Sequence, residues 1–338
     1  MVMAGGVSSL VSVVNVKTVK RAIKTAFASR LGWRTLGAAL RGPGVIVLTY
    51  HRIVGDEPSL GGVSVRRFAE QMKWIRENCE PIGPDALVER SRAPRSTRPA
   101  VLVTFDDGYR SYHDLAYPVL KQYDIPAINF LVTGLIDEPA MMWTDRVQWA
   151  ALTTPRTSVS LPWMDGVGTV SLHDAAARDG FGLRARTYIK TIPDAERLER
   201  VEELVGMLGG SPPRERQMTT WDEVRRTMDI TTYGGHTHSH CILSRLDREG
   251  AAREIRTCRE RIAAETGRAP AYFAYPNGTA ADFTSETQDV LREQGFSIAF
   301  STIDGIAGTD TDWLAVRRIP GIDGDIPAFA WMAAGLAS

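Results

Sequence analysis

Residues 99–108, PAVLVTFDDG, contain the pattern that decides the fold. The apolar, β-branched run between Pro99 and Gly108 is typical of a buried strand. This run ends abruptly in two adjacent carboxylates, Asp106 and Asp107. Since neighbouring strand residues point to opposite faces, a turn at Gly108 is needed to bring both acids to one site. One carboxylate could then bind a metal while the other acts as a base beside it.

A second polar cluster is GHTHSH, residues 235–240, which holds three of the chain's six histidines. His236 and His240 can meet one cation if the segment turns, and neutral imidazole is a good ligand for Zn, Co, Ni and Fe. The metalloprotease helix signature has the same histidine spacing but needs Glu after the first histidine, where this chain has Thr237. We expect His238 to lie outside the ligand set.

Strand-like and helix-like segments alternate along most of the chain, which favours an α/β fold with a parallel sheet or barrel and chemistry at the carboxyl ends of the strands. A capping box, Thr220 to Glu223, marks one helix start. The predicted strands are residues 44–51, 99–105, 126–132, 229–235, 271–275, 296–302 and 315–320, and the predicted helices include 65–78, 111–124, 245–266 and 285–294.

Residues 134–218 interrupt this alternation with a Pro/Gly-rich stretch and a charged helix predicted over residues 194–208. Because this region lacks strong strands, we interpret it as an insertion or lid. The predicted division is therefore an N-terminal segment (1–41), a first part of the main domain (42–133), the insertion, and a second part (219–338).

The composition excludes several classes of protein. With 338 residues, 43% hydrophobic and 24% charged, the chain is neither disordered nor fibrous. Its 40 basic residues balance 40 acidic ones, so we predict no nucleic-acid partner. Three cysteines without a C-x-x-C pair favour a reducing compartment. No apolar run is long enough for a transmembrane helix.

The N-terminal segment has seven basic residues and no acidic ones. Val19, Ile23, Phe27 and Leu31 recur every four residues and predict an amphipathic helix. Over residues 17–36 this helix could lie on an anionic membrane, or it could pack its apolar stripe on the domain. The first sixteen residues lack the leading positive charge of a secretory signal. We therefore expect a cytoplasmic protein, or one peripheral to the inner membrane.

Together the motifs resemble those of the polysaccharide deacetylases of carbohydrate esterase family 4, which share the NodB-homology domain. The family's T-F-D-D-G motif matches residues 104–108, and H-[ST]-x-x-H matches residues 236–240. A third, Pro-Gly-centred motif is similar to FAYPNG, residues 273–278. The resemblance covers residues 44–133 and 219–320. It implies a distorted, incomplete (β/α) barrel and hydrolysis of N-acetyl groups on an amino-sugar or its polymer.

The resemblance also implies roles for the two polar clusters. Asp107, His236 and His240 would bind a divalent metal, with zinc favoured and cobalt, nickel or iron as alternatives. Asp106 would be the general base. The physical logic agrees, since a divalent cation lowers the pKa of bound water and polarises an amide carbonyl.

Residues of the third motif are expected to contact the substrate. By its place in the motif, Asn277 would supply a backbone N–H to the oxyanion, while Tyr275 and Pro276 would line the groove. Four tryptophans could stack on sugar rings or simply belong to the core, namely Trp143, Trp149, Trp163 and Trp221.

The chain departs from the family pattern at two places. Ala274 stands where many members have an arginine that orients the base. Arg318 is our substitute, since Arg317 should face the other side of its strand. The family's late Leu-x-His is missing, because no histidine follows His240. His51, at the end of the first strand, is our candidate for the acid that protonates the leaving amine.

Two alternatives remain open at this point. The enzyme could hydrolyse another non-peptide C–N bond, in a lipid-linked sugar or a cyclic amide, which the basic N-terminal segment would suit. The chain could also be a carbohydrate-binding homologue that has lost catalysis, as Ala274 and the missing histidine would allow.

Overall fold

The computed structural model describes residues 16–55, 60–139, 141–164, 168–210 and 215–336. Its centre is a sheet of eight strands in which every pairing is parallel. The strands are β1 (Ile46–Tyr50), β2 (Glu80–Pro81), β3 (Ala100–Phe105), β4 (Ala127–Leu131), β5 (Thr231–Gly235), β6 (Tyr272–Ala274), β7 (Ile298–Phe300) and β8 (Ile319–Pro320). Two small two-stranded pairs lie outside it, Ile53–Val54 with Val63–Ser64 and Ser158–Val159 with Val170–Ser171.

The sheet curls into a distorted barrel. Its strand order is β7-β6-β5-β4-β3-β1-β8, and β2 pairs with the start of β3. One segment spans the gap between β7 and β1. Val316 makes a single parallel bridge to Phe300 of β7, and β8 pairs with β1 a few residues later. A one-residue bridge instead of a ladder leaves the barrel incomplete at this seam.

Alternation along the strands produces two apolar layers. Ile46, Leu48 and Tyr50 of β1 pack against the outer helices, whereas Val47 joins an inner cluster with Leu102 of β3. Close strand packing around β5 requires glycine, because a Cβ at Gly234 would lie 2.5 Å from the Phe130 ring. The buried strands therefore leave their carboxyl ends as the place where polar side chains collect.

Thirteen α-helical segments are present in the described residues. They are α1 (Val16–Ala28), α2 (Arg30–Gly32), α3 (Ala38–Leu40), α4 (Val65–Asn78), α5 (Leu87–Ser91), α6 (Tyr117–Gln122), α7 (Trp143–Thr153), α8 (Ala175–Ile189), α9 (Asp194–Leu208), α10 (Trp221–Arg226), α11 (Arg248–Thr266), α12 (Ser285–Glu293) and α13 (Ile326–Ala333). π-helical turns at Trp33–Gly37 and Tyr112–Ala116, and 3₁₀ turns at Pro84–Ala86 and Leu243–Arg245, complete them.

Most predicted elements agree with the structure to within a few residues. The helices predicted over residues 65–78 and 194–208 have those bounds, and the Thr220–Glu223 capping box is present. The last predicted strand, 315–320, was too long, because the chain leaves β7 after one bridge and pairs with β1 only from Ile319.

The region predicted as an insertion is helical in the structure. Helices α7, α8 and α9 pack on one another around an apolar core that includes Phe181, Val201 and Leu204. Only α9 was predicted; α7 and α8 have weak amphipathic patterns because most of their apolar residues are small or dispersed. The domain boundaries themselves stay a prediction.

The amphipathic helix predicted in the N-terminal segment is present as α1, but it does not extend to Leu31. Helix α1 ends at Ala28, and Ser29 starts a new helical stretch by accepting a hydrogen bond from the Gly32 N–H. Phe27 and Trp33 are buried in the core, whereas Leu31 is 74% exposed, so the predicted stripe is split between two sides. The expected absence of a signal sequence concerns residues that lie mostly outside the described ones. In the described residues no helix has the length and apolarity needed to cross a membrane.

Candidate active site

A polar cleft lies at the carboxyl ends of β1, β3, β5 and β6. It has a volume of about 540 Å³ and is lined by residues that follow these strands directly, together with residues from α7 and α8. The lining includes His51, Asp106, Asp107, His236, His240, Tyr275 and Asn277. Seven of the nine residues predicted to form the site therefore line one cleft.

Asp107, His236 and His240 converge within this cleft. The Asp107 Oδ1 atom lies 3.3 Å from the Nε2 atom of each histidine. All three side chains are nearly buried, with exposed fractions of 8%, 2% and 12%. One ligand atom from each residue lies within 4.8 Å of the others, as the ligands of a single cation would.

The backbone of this cluster adopts conformations that side chains rarely take. Asp107 has φ 77°, Thr237 has φ 62° and His240 has φ 55°. Gly108 follows Asp107 with φ 77°, and this is the turn that the sequence required after β3. Positive φ values in non-glycine residues are typical of functional sites, where the surrounding structure holds the strain.

The hydrogen bonding of the cluster leaves atoms that could act as metal ligands. Asp107 Oδ1 and His240 Nδ1 are buried and have no hydrogen-bond partner among the described residues. The Nδ1 atom of His236 lies 2.7 Å from the Ala274 carbonyl oxygen, which directs its Nε2 atom towards Asp107. One carboxylate and two imidazoles are a donor set that suits Zn²⁺ and related divalent metals. The hydrogen bond between His236 and the Ala274 carbonyl is of the kind that orients a metal-binding imidazole.

Electrostatics keep the Asp107 carboxylate ionised. Burial alone would raise its pKa, but the two imidazoles outweigh this effect and hold the pKa well below its usual value. Burial lowers the pKa of His240, whereas for His236 the two acids overcome burial and raise the pKa. A carboxylate that is ionised between two imidazoles is the state that a cation requires.

Asp106 forms a buried ion pair with Arg318. The Arg318 Nη1 and Nη2 atoms donate to the two carboxylate oxygens at 2.7 Å each, and its Nε donates to the Ser301 carbonyl at 2.7 Å. The guanidinium is fully buried. Burial would raise the pKa of Asp106, but Arg318 outweighs it and the pKa is lowered. Arg317 is exposed and donates to the Asp304 carbonyl instead. Neither arginine lies in a strand, because β8 begins only at Ile319.

His51 stands at the edge of the cleft. Its Nε2 atom is 3.8 Å from Asp106 Oδ2, and its side chain is 50% exposed. It is thus near the carboxylate pair yet open to solvent. This position permits proton exchange with water, which a proton donor in turnover needs.

The residues of the third motif lie beside the same cleft, and two of them, Tyr275 and Asn277, line it. The Tyr275 hydroxyl donates to the Leu314 carbonyl at 2.8 Å, and Pro276 is buried beside it. Asn277 has φ 64° and accepts a hydrogen bond from Lys190 Nζ at 2.6 Å. Asn277 therefore brings a left-handed backbone position to the lining of the cleft.

His238 lies apart from the cluster, as expected. Its Nδ1 atom is 3.1 Å from Thr133 Oγ1, and it lines a different cavity. Trp143 and Trp221 are buried, and none of the four tryptophans is among the described residues that line the polar cleft.

Sequence reasoning missed polar residues that the insertion brings to the cleft. Lys190, after α8, lines it, and burial lowers its pKa. Asp145 of α7 accepts hydrogen bonds from Arg52 Nη2 at 2.5 Å and from the Tyr109 hydroxyl at 2.8 Å. Arg52 and Tyr109 follow the motif strands closely and could have been suspected, but nothing near Asp145 or Lys190 in the sequence distinguishes them from surface residues.

Comparison with known proteins gives consistent matches. The family model described as polysaccharide deacetylase matches residues 93–299. The poly-beta-1,6-N-acetyl-D-glucosamine N-deacetylase of Escherichia coli strain K12 is 32% identical over 103 residues, which are 29% of this chain and 15% of that protein. The protein of the same name from Staphylococcus aureus strain N315 is 30% identical over 77 residues, 22% of this chain and 27% of that protein. The chain thus spans less than a third of the length of either relative.

Two solved structures share the fold. IcaB from Ammonifex degensii superposes with a TM-score of 0.55 at 22% identity, covering 87% of this chain and 98% of that chain. The Streptococcus pyogenes deacetylase PplD, in complex with acetate, gives a TM-score of 0.55 at 16% identity, covering 84% and 95%. The distorted, incomplete barrel predicted from the sequence is confirmed.

Proposed function

Because this chain belongs to the polysaccharide deacetylase family, we propose that it is a metal-dependent hydrolase that removes N-acetyl groups from an amino-sugar polymer or a glycan precursor. The observation that carries this proposal is the convergence of Asp107, His236 and His240 beside the Asp106–Arg318 pair. The names of the E. coli and S. aureus relatives support a poly-N-acetylglucosamine substrate class.

In this proposal Asp107, His236 and His240 hold a divalent cation, with zinc favoured over cobalt, nickel or iron. The bound cation supplies Lewis acidity, which lowers the pKa of water and polarises the amide carbonyl. The Ala274 carbonyl keeps the His236 ring in the orientation that binding requires.

Asp106 is the proposed general base. The bidentate contact with Arg318 fixes the carboxylate and lowers its pKa, so that it is ionised and ready to accept a proton from the attacking water. Arg318 is a positioning residue. It supplies the guanidinium that orients the base, which Ala274 cannot do.

The remaining roles concern the substrate. The backbone N–H of Asn277 would donate to the oxyanion, and Tyr275 with Pro276 would shape the wall of the cleft. His51 would donate the proton that the leaving amine needs, since it is the described histidine nearest to Asp106 outside the metal cluster.

The test is acetate release from chito-oligosaccharides and poly-N-acetylglucosamine, measured after metal removal and after addition of zinc or cobalt. We expect turnover to depend on metal and to disappear in Asp107→Ala. Equal turnover in Asp107→Ala and the unmodified protein would reject the site, and absence of turnover at any metal loading would favour a carbohydrate-binding homologue.

A contact with anionic membranes is also part of the proposal. Val19, Ile23, Leu31, Leu36 and Leu40 are 41–74% exposed. Exposed basic residues accompany them, among them Lys20, Arg21 and Arg30. Each basic group near an anionic surface contributes about 1 kcal/mol, and exposed apolar side chains can enter the headgroup region. Such a contact would suit a glycan precursor that is attached to a lipid.

Vesicle sedimentation tests the membrane contact. Phe27 and Trp33 are buried in the core, so point substitutions are better than deletion of the segment. Ile23→Glu and Leu31→Glu should reduce binding to vesicles with anionic lipid, whereas Leu183→Glu, at a leucine 50% exposed on α8, should not. Equal binding by all variants would contradict the contact.

A further inference from the structure

A second cavity of about 570 Å³ lies beside the polar cleft, between the insertion and the loop that follows β4. We call it the apolar groove. Most of its wall is apolar, and it ends at His240, which also lines the polar cleft. The residues that define it here are Leu135, Met142, Trp143, Leu198, Val205 and His240. The two cavities therefore meet at a proposed metal ligand.

One charged side chain in the wall of the apolar groove is incompletely partnered. Arg197 of α9 is 3% exposed, and its Nε donates to Asp194 Oδ1 at 2.8 Å. Its Nη1 and Nη2 atoms are buried without a hydrogen-bond partner in the described part of the chain. The guanidinium carbon lies 5.3 Å from the centre of the Trp143 ring. Leaving such donors unpaired costs about 1–3 kcal/mol or more for a charged group.

The other arginine in the wall behaves differently. Arg146 donates to both carboxylate oxygens of Glu202, at 2.6 and 2.7 Å, so its donors are occupied. No acidic residue is among the described residues that line the apolar groove. Arg197 and His240 both line the apolar groove. A positive, hydrogen-bonding group thus lies near the junction of the polar cleft and the apolar groove.

We propose that the apolar groove binds a lipid chain whose phosphodiester group is held by Arg197, so that the substrate of this site is an amino-sugar joined to a lipid through phosphate. This inference rests on the proposed function, because it places the sugar at the Asp107–His236–His240 cluster. It narrows the substrate class from any glycan to a phosphate-linked lipid precursor.

The chemistry of the linkage follows from the arrangement. A group at the junction must join a sugar in the polar cleft to a chain in the apolar groove and still carry a negative charge for Arg197. A phosphodiester has two ester bonds and keeps one charge, whereas a carboxylate loses its charge when it is esterified. The planar fork of a guanidinium also matches phosphate oxygens in a bidentate contact.

Isothermal titration of the full chain with methyl decyl phosphate, below its critical micelle concentration, tests this site. Decanoate has the same charge and chain, decanol lacks the charge, and dimethyl phosphate lacks the chain. We expect saturable binding of methyl decyl phosphate alone, weakened at least about tenfold in Arg197→Gln and less in Arg197→Lys, which keeps the charge but loses the fork.

Arg197 is buried, so a surface variant is needed in case Arg197→Gln does not fold. Leu198→Asp, at a leucine 52% exposed in the groove wall, should weaken the phosphodiester at least about tenfold, while Leu31→Asp, the same change at a 74% exposed leucine, should not. Equal affinity for decanoate, no effect of Leu198→Asp, or no binding of the phosphodiester would each overturn the proposal.

The proposed function and this inference can fail separately. Probe binding by His236→Ala, which lacks a metal ligand, should equal that of the unmodified protein. Acetate release from soluble chito-oligosaccharides reports on the metal site without using the apolar groove. Turnover of soluble oligosaccharides without binding of the probe would therefore reject the lipid site and leave the hydrolase intact.

Discussion

Arg318 in the barrel and Arg197 in the insertion are both buried, but their partners differ. Arg318 places all its nitrogens within the chain, on Asp106, Thr104 and the Ser301 carbonyl. Arg197 uses only its Nε, on Asp194, and its two terminal nitrogens have no partner among the described residues. Arg318 is fully partnered within the chain, whereas Arg197 retains donors for a group from outside.

This difference separates two tasks. The barrel places the proposed reacting groups, since each of them follows the end of a buried strand. The insertion contributes side chains to the walls of both cavities, among them Arg197, which we propose to contact the linkage of the substrate. If this division is right, substitutions in the barrel should abolish chemistry or destabilise the fold, whereas those in the insertion should change substrate preference or local stability.

The largest effect should come from His236→Ala. Loss of one of three ligands should release the metal and lower kcat/KM at least about 10⁴-fold, because water is then no longer acidified. Elemental analysis and acetate release would measure both. His238→Ala, which removes an imidazole bonded to Thr133 outside the cluster, should keep the metal. If His236→Ala retained its metal, the assignment of the metal site to the barrel would be wrong.

Arg318→Ala should come next, with a loss of about 3–5 kcal/mol in the free energy of unfolding, because a buried carboxylate is left without its partner. Arg317→Ala, next to it but exposed, should cost about 0.5 kcal/mol or less in the same denaturant titration. A small effect for both would show that Arg318 is dispensable.

The same pair makes stability depend on pH. Arg318 lowers the pKa of Asp106 in the folded state, so its contribution is present above the unfolded pKa of about 3.9 and is lost as pH falls through the folded value. In Arg318→Ala the effect of burial on Asp106 is opposed only by His236 and His51, so the pKa of Asp106 should rise and the acid limb of the activity profile should move to higher pH.

Leu204→Ala tests whether the insertion is independent of the metal site. Leu204 is fully buried in the insertion core, so the change should cost about 3 kcal/mol, within the usual range for a cavity of this kind. Metal content should be unchanged. Leu198→Ala, on the same helix but 52% exposed, should cost far less. Loss of metal in Leu204→Ala would show that the two regions are coupled.

His51→Gln should lower kcat for amide substrates about 10²-fold without loss of metal. The hydrolysis of p-nitrophenyl acetate, whose leaving group needs no proton, should fall much less. An equal fall for amide and ester would mean that His51 does not act as the proton donor.

The smallest effect should be that of Arg146→Ala. The Arg146–Glu202 pair is bidentate but partly exposed, at 31% and 63%, so its loss should cost about 1 kcal/mol or less in thermal or denaturant unfolding. A cost similar to that of Arg318→Ala would erase the contrast between the buried and the exposed pair.

The barrel was predictable because its information is local. Asp106 and Asp107 directly follow an apolar strand, and His236 and His240 lie within five residues of each other. The choice of Arg318 over Arg317 rested on strand alternation. In the structure both residues precede β8, so the buried position of Arg318 follows from its contacts with Asp106 and not from strand geometry.

The insertion was not predictable in the same way. Asp145 and Lys190 reach the polar cleft only because α7 and α8 pack against the barrel, and no spacing in the sequence encodes that distance. The N-terminal segment shows the same limit, because the break at Ser29 turns Trp33 into the core and leaves Leu31 outside. Packing between distant segments decided these positions.

The seam of the barrel has a further consequence. Arg318 lies between Val316, which touches β7, and β8, which pairs with β1. We expect a fluctuation that parts these edges also to withdraw the guanidinium from Asp106. If Asp106 is the general base, opening of the seam would then inactivate the enzyme.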